Sequence, residues 1–479
     1  MRVRLRLRPD CFPVRTADGA TWLVAMSARD ELTPTVAGRL TAGQDSVTQR
    51  RDAYARGEAD DDLVLGTADG DRLGPPVAHQ LGELTPENRR ALLALCEKPG
   101  LAVDDGEGAD ALVADLLAGG WLETRVADAR PAYLMRPVAP PPARPAPVPE
   151  DPVLSRFAVV RRCGQALVVE SPLAWCEIHL SDPALLSVVS GAGAPPGDEV
   201  AHRLLSDLAA AGLVVQRAAQ EPADRWAPHE LWFHARTRSN PMRCEPFGPA
   251  QALSEPLPAR HVPFAGPAEP LHRPSASPLG TVLERRRSLR RHDDDTPVTT
   301  EQLGEFLFRC ARNRWLVEKD GVEHISRPYP SASSGYELEI YPVVRLVGGL
   351  EPGLYHYDAQ EHQLRRGVAG IDAPTRRLLR LAATMAGMPR QPQVLLVMTA
   401  RFARLMRNYD AISYALIAKH VGVVQQVMYL VATELGLAPC ALGTGDSAAF
   451  SAATGLDALR EASVGEFILG SRPSAVGSP

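Results

Sequence analysis

The stretch RFARLMRNYDAISYALIAKHVGVVQQVMYLVATELGLAPCALGTGD, residues 401–446, decides how the rest of the chain is read. Its centre predicts one long helix from about Ala411 to Leu435, apolar on nearly every side. A polar segment bearing Tyr409 precedes it, and the loop Gly443-Thr444-Gly445-Asp446-Ser447 follows. A short strand is expected at Glu466 to Leu469, ending at Gly470-Ser471-Arg472. A helix of that kind must be buried, and glycines at its exit let backbone approach a ligand closely. A membrane span competes with this reading. Lys419, His420, Gln425, Gln426 and Glu434 interrupt the run, whereas a span needs about 18 or more apolar residues in succession. A buried core or dimer helix is the better reading, and the stretch forms one half of a ligand pocket.

Working outward, 479 residues are too many for one ordinary core, and about two to four domains are expected. The net charge of −5 lacks the basic excess of a nucleic-acid footprint. The 7 cysteines are odd in number, widely spaced and without a CxxC pair. Neither a disulfide framework nor a zinc site is indicated, which points to a reducing cytoplasm. The opening MRVRLRLRPD alternates Arg with apolar residues and lacks the apolar run of a signal peptide, so it reads as a strand.

Residues 2–26 read as strands around a turn at Asp18-Gly19. Thr85-Pro86-Glu87 is a helix start, with Thr as cap and Pro in the first turn. A second helix, Ala109 to Ala118, ends at Gly119-Gly120 and enters a strand at Trp121. This order resembles a winged helix over 1–136. The proline-rich stretch 137–152 is expected to be an extended spacer and a domain boundary. Beyond it the pattern returns over 153–240. Leu204-x-x-Asp207-Leu208-x-Ala210-x-Gly212 echoes Leu112-x-x-Asp115-Leu116-x-Ala118-x-Gly120, which predicts a duplicated module. The candidate recognition helices, 109–118 and 200–211, carry almost no Lys or Arg, so DNA binding is disfavoured. A peptide adding as a strand at a sheet edge suits the modules better. His229 and His234 have the wrong spacing for one metal-binding face and read as structural. Residues 241–277 are an irregular linker.

From 278 to 479 the texture changes. Arg285, Arg286, Arg287, Arg290 and Arg291 surround Ser288, a pattern suited to an anion, because guanidinium forks grip phosphate bidentately. The loop Pro330-Ser331-Ala332-Ser333-Ser334-Gly335 can lay hydroxyl and backbone donors along a flat polar ligand. The strand after it contains Pro342, which predicts an edge position. A hairpin around Asp358 and a buried strand at Val394–Met398 complete the outline.

The Arg286-x-Ser288-x-Arg290 cluster, the Pro330-Ser331 loop and the long helix entering Gly443-x-Gly445 resemble the flavin-dependent nitroreductase superfamily. Pro328-Tyr329-Pro330-Ser331, Gly353-Leu354-Tyr355-His356-Tyr357, Arg401-Phe402-Ala403-Arg404 and Gly436-Leu437-Ala438-Pro439-Cys440 resemble the SagB-type peptide dehydrogenases. These are azoline oxidases of ribosomal peptide natural-product pathways. The likeness covers 278–473 and, more loosely, Leu154–Arg238. It implies an α+β fold, with a C-terminal nitroreductase-like FMN domain behind two winged-helix-like modules. It also implies a homodimer, an azoline-containing precursor peptide as substrate, and possible assembly with the cyclodehydratase of the same pathway. Neither nucleic acid nor membrane is an expected partner. By this likeness Arg286, Arg287, Ser288, Arg290 and Arg472 hold the FMN phosphate and ribityl chain. Ser331, Ala332, Ser333 and Gln426 line its ring, and Gly443 and Gly445 let backbone meet it. The family's catalytic Lys-Tyr pair falls on Asn408 and Tyr409, so the tyrosine is kept and the lysine lost. Tyr409 is then the expected base, helped by a nearby cation from Arg404, Arg407 or Lys419. The missing lysine leaves a reductase of dehydroamino acids open, and the duplicated winged-helix half motivates a further reading, a leader-peptide-binding scaffold with a vestigial flavin domain.

Overall fold

A computed structural model describes residues 1–8, 11–15, 21–25, 78–82, 84–96, 101–103, 111–127, 131–191, 193–218, 223, 225–238, 266, 268–319 and 322–473. The Asp18-Gly19 turn and most of the 241–277 linker lie outside these residues. The chain divides into two compact units, Met1–Glu245 and Pro246–Pro479.

The first unit runs β1 (Arg2–Leu7), β2 (Cys11–Arg15), β3 (Thr21–Ala25), β4 (Ala78–Gly82), α1 (Pro86–Cys96), β5 (Leu101–Val103), α2 (Ala111–Ala118), β6 (Leu122–Ala127) and β7 (Pro131–Pro137). It continues through β8 (Pro152–Leu154), β9 (Val159–Cys163), β10 (Ala166–Glu170), β11 (Cys176–Leu180), α3 (Leu186–Val189), α4 (Glu199–Ala210), β12 (Val214–Gln216) and α5 (Pro228–Thr237). The expected echo is conformational as well as sequential. Gly120 and Gly212 take φ of 72° and 74°, and the amides of Trp121 and Leu213 close back on the carbonyls of Leu116 and Leu208 at 2.9 Å each. Both helices therefore stop by the same left-handed glycine device.

The expected boundary at 137–152 needs correcting. One 7-stranded sheet, ordered β5-β1-β6-β7-β11-β10-β9, runs through both halves, because β7 pairs with β11 on the far side of the proline stretch. Two hydrophobic cores sit on that one sheet. Leu7, Leu92, Leu95 and Leu116 anchor the first, and Met135, Ile178, Leu204 and Leu208 the second. The Tyr133 hydroxyl donates to Asp207 at 2.6 Å and so ties β7 to α4. His234 is buried against Trp226, and that burial, with Arg238 nearby, lowers its pKa to about 3. It is a neutral packing residue, and no cluster suited to a metal occurs among the described residues.

The second unit runs α6 (Pro278–Arg285), α7 (Thr300–Ala311), β13 (Trp315–Lys319), β14 (Val322–Ser326), β15 (Leu338–Val344), β16 (Gly353–Asp358), β17 (Gln363–Ala369), α8 (Ala373–Ala386), β18 (Val394–Arg401), α9 (Ala403–Met406), α10 (Ser413–Glu434), β19 (Leu437–Leu442), α11 (Ser447–Thr454) and β20 (Glu461–Ser471). Its sheet is ordered β17-β16-β15-β18-β20-β19, with every neighbour antiparallel. Seven of the eight residues of β18 are buried, because the strand is central and covered on both faces. Leu378, Leu379 and Phe450 from α8 and α11 cover one face. On the other, α10 packs against β19, β20 and α7.

Three expectations change here. Strand β15 is internal, not an edge. Its pairing with β16 begins only at Val343, however, so Pro342 sits where β15 is flanked by β18 alone, as at an edge. The last strand is β20, with 11 residues rather than a short Glu466–Leu469 segment. Nor is α10 buried all round. Ile417, Val421, Val424 and Met428 lie inward, contributing roughly 6–12 kcal/mol of apolar burial. Leu416, Val423, Val427 and Leu430 stay half-buried. By length and composition alone α10 also passes for a membrane span, but its inward face belongs to this core.

Candidate active site

The site is built around the loop before β15. Ser333, Ser334 and Tyr336 take φ of 48°, 51° and 41°, a left-handed backbone that side chains disfavour. Each such residue costs about 1–3 kcal/mol, so the surroundings must over-determine the loop. Three braces do so. The Ala332 amide donates to His420 Nε2 at 2.9 Å, the Tyr336 amide donates to Ser331 Oγ at 2.9 Å, and Arg404 Nε donates to the Gly335 carbonyl at 2.6 Å. Glu337 is fully buried and accepts from His420 Nδ1 at 2.7 Å and from Ser331 Oγ at 3.3 Å. Since Nε2 accepts an amide hydrogen, the ring proton sits on Nδ1 and points at the carboxylate.

Tyr409 follows α9, and its carbonyl accepts from Ser413 Oγ at 2.8 Å where α10 begins. Its hydroxyl lies 2.7 Å from Ser333 Oγ. The partner of the expected base is thus a serine and not a cation. Arg404 is committed to Gly335 and to Glu323 at 3.2 Å, and burial, with Arg401 nearby, holds its guanidinium below the usual range. Asn408 and Arg407 are exposed. Lys419 and Gln426 are exposed on the outer side of α10, two turns apart, and neither makes a side-chain hydrogen bond or ion pair among the described residues.

The arginine cluster lies at the end of the sheet. Ser277 caps α6 by accepting from the Gly280 amide at 3.0 Å, and the helix ends where Arg286 turns extended. The Leu289 amide donates to the Pro439 carbonyl at 2.8 Å and the Asp293 amide to the Ser471 carbonyl at 3.4 Å. These bonds lay residues 286–293 along β19 and the end of β20, beside Arg472. The Arg286 guanidinium lies 5.3 Å from the centre of the Tyr429 ring. The Tyr429 hydroxyl accepts from the Ala441 amide and bonds Ser288 Oγ, both at 2.8 Å. Among the described residues Arg287 donates only to the carbonyls of Glu284 and Arg286, at 2.9 and 3.0 Å. Among the described residues none of Arg286, Arg287, Arg290 and Arg472 is paired with a carboxylate. This donor set fits a phosphate: several guanidinium groups, a hydroxyl, and no internal anion to compete.

The two loop glycines differ. A Cβ at Gly443 would meet nothing within 4 Å, so backbone is open to a ligand there. A Cβ at Gly445 would lie 1.9 Å from Glu466 Oε1, so this glycine makes room for the chain's own carboxylate. A methyl there would cost about 1–3 kcal/mol by overpacking.

Sequence reasoning missed Glu337, His420, Tyr429 and Glu466. A signal for His420 existed: residues 413, 417, 420, 424 and 428 form the inward stripe of α10, which places the histidine inside and Lys419 outside.

Residues 283–471 match the nitroreductase family model, and residues 152–243 match that of the cyanobactin oxidase ThcOx. A relative from Methanocaldococcus jannaschii that carries the nitroreductase name is 32% identical over 165 residues, covering 34% of this chain and 78% of that protein. Among solved structures, a Ralstonia eutropha protein of the same name is 21% identical with a TM-score of 0.33, over 43% of this chain and 89% of that one. A Desulfovibrio desulfuricans counterpart in complex with FMN is 16% identical with a TM-score of 0.27, over 43% and 91%. A chain of the E. coli microcin synthetase McbBCD complex, with truncated pro-MccB17 bound, is 16% identical with a TM-score of 0.38, over 54% and 100%.

Proposed function

Because the chain belongs to the nitroreductase family, we propose that it is an FMN-dependent dehydrogenase that oxidises thiazolines or oxazolines in a peptide to the aromatic azoles. The observation that carries this reading is the order of the two matches. A segment like a cyanobactin oxidase, 152–243, precedes a nitroreductase domain, 283–471, in one chain. The site's chemistry supports it. Arg286, Arg287, Ser288, Arg290 and Arg472 would hold the FMN phosphate. Gly443 and the Ser331–Ser333 loop would face its ring. Bound FMN supplies the two-electron acceptor. Tyr409 would stand at the reacting carbon and take its proton, a role worth about 100–10,000-fold in rate for a well-placed group.

The direct test is a synthetic peptide carrying one thiazoline, incubated with the protein and FMN under air. A loss of about 2 Da per ring is expected, the mass of two hydrogens on aromatisation. A gain of the same size from a dehydroamino-acid peptide with an added reductant, and no loss from azolines, would instead favour the reductase.

The half-buried outer stripe of α10, Leu416, Val423, Val427 and Leu430, supports a homodimer as part of this reading. Light scattering should then give twice the 51.6 kDa chain mass. A particle of single-chain mass across the micromolar range would remove that element.

A further inference from the structure

We propose that the Ser333 hydroxyl relays the proton from Tyr409 to solvent and so does the work that Asn408 cannot. The inference rests on the reading of this chain as an azoline dehydrogenase with Tyr409 at the reacting carbon.

A tyrosine that carries its own proton accepts another only if it gives the first away. The amide of Asn408 is neither a base nor a cation. The arginine nearest in sequence that is partly buried, Arg404, is held by Gly335 and Glu323. The group within reach of the Tyr409 hydroxyl is Ser333 Oγ at 2.7 Å, an ordinary O–H···O distance. Ser333 is exposed, so water can meet its far side. Its placement is also costly. At φ 48° glycine would sit without strain, whereas serine must be forced there by His420, Ser331 and Arg404 acting on its neighbours. A strained residue whose one side-chain group meets the expected base is placed for what that group does.

The step balances without charge building on either hydroxyl. The proton on one ring carbon moves to Tyr409 Oη as the Tyr409 proton moves to Ser333 Oγ and the Ser333 proton moves to water. The hydrogen on the adjacent ring carbon leaves as hydride to the bound flavin. A double bond forms between the two carbons, and the ring has lost two hydrogens in all.

Ser333→Gly and Ser333→Ala test this in the full-length, flavin-loaded protein with a thiazoline peptide. Both should lose about 100-fold in kcat with KM within about twofold, the split expected when an interaction made only in the transition state is removed. The solvent proton inventory should be curved in the unsubstituted protein, where more than one proton moves, and straight in Ser333→Gly. Rates are taken per bound flavin, because the loop that carries Ser333 would face the ring and a change there can alter loading. Melting of Ser333→Gly should stay level or rise, since strain is relieved. A loss in Ser333→Ala alone, with Ser333→Gly fully active, would show that backbone shape matters and the hydroxyl does not, and would overturn the relay. So would a straight inventory in the unsubstituted protein. If that protein oxidises no azoline at all, the functional reading fails first and the relay falls with it. If it does oxidise them and Ser333→Gly matches it, only the relay fails.

Discussion

Tyr409→Phe is expected to cut azoline turnover by about 100–10,000-fold while leaving the fold and the flavin spectrum as they were. The substitution is clean because of how Tyr409 is held. Its ring is half-buried and survives in phenylalanine. Its contribution to the start of α10 is made by the backbone carbonyl, which accepts from Ser413 Oγ and is untouched by the change. The hydroxyl alone is removed, and its partner Ser333 is exposed and can turn to water. The stability cost should therefore fall within about 1 kcal/mol, the net worth of a replaceable hydrogen bond. The double variant Tyr409→Phe/Ser333→Gly should lose no more than Tyr409→Phe alone. Two hydroxyls in one proton path are not independent, and removing either already breaks it. A phenylalanine variant within tenfold of the unsubstituted protein would move the proton acceptor elsewhere and dissolve this account of the site.

What could be read in advance divides along a physical line. Local pattern carried the elements that bury by themselves. Helix α10 was placed within about two residues of its observed ends because its apolar run has no strand-like alternation. Strand β18 was legible as a continuous apolar run, and the arginine cluster as a density of one charge. The features that escaped depend on partners distant in the chain. The β7–β11 pairing crosses a proline stretch that locally reads as a boundary. The first half of β20 carries Ser463 and Gly465, which look like loop. Each is explained only by what it meets: Ser447 against Ser463, and Val421 and Met398 over Gly465. The spacing 413, 417, 420, 424 and 428 held the signal that puts His420 inside and Lys419 outside, but apolar residues on the other flanks of α10 masked it, so Lys419 drew attention that belonged to His420. The strain at Ser333, Ser334 and Tyr336 has no sequence signature, since none of these residue types favours left-handed backbone.

His420→Ala is expected to destabilise the second unit by about 2–6 kcal/mol, from about 1–3 for each of two buried groups left without a partner. For a unit of this size that corresponds to a fall of roughly 4–24 °C in its melting midpoint. Two groups lose their partners at once. The Glu337 carboxylate, fully buried, keeps only Ser331 Oγ at 3.3 Å, and the Ala332 amide loses its acceptor. The loss also releases one of three braces on a loop that stores strain at three residues, so the left-handed segment should relax toward ordinary backbone. Turnover should fall with it, because Ser333 then no longer meets Tyr409. Glu337→Gln separates the electrostatic from the geometric part. An amide oxygen can still accept from His420 Nδ1, so this variant should melt within about 1–2 kcal/mol of the unsubstituted protein and keep most of its rate. If instead His420→Ala melts normally and retains activity, the loop is held by Arg404 and Ser331 alone. The histidine on the inward stripe of α10 would then be a packing residue, and the chain from α10 through His420 and Ala332 to the Ser333–Tyr409 pair would carry no force.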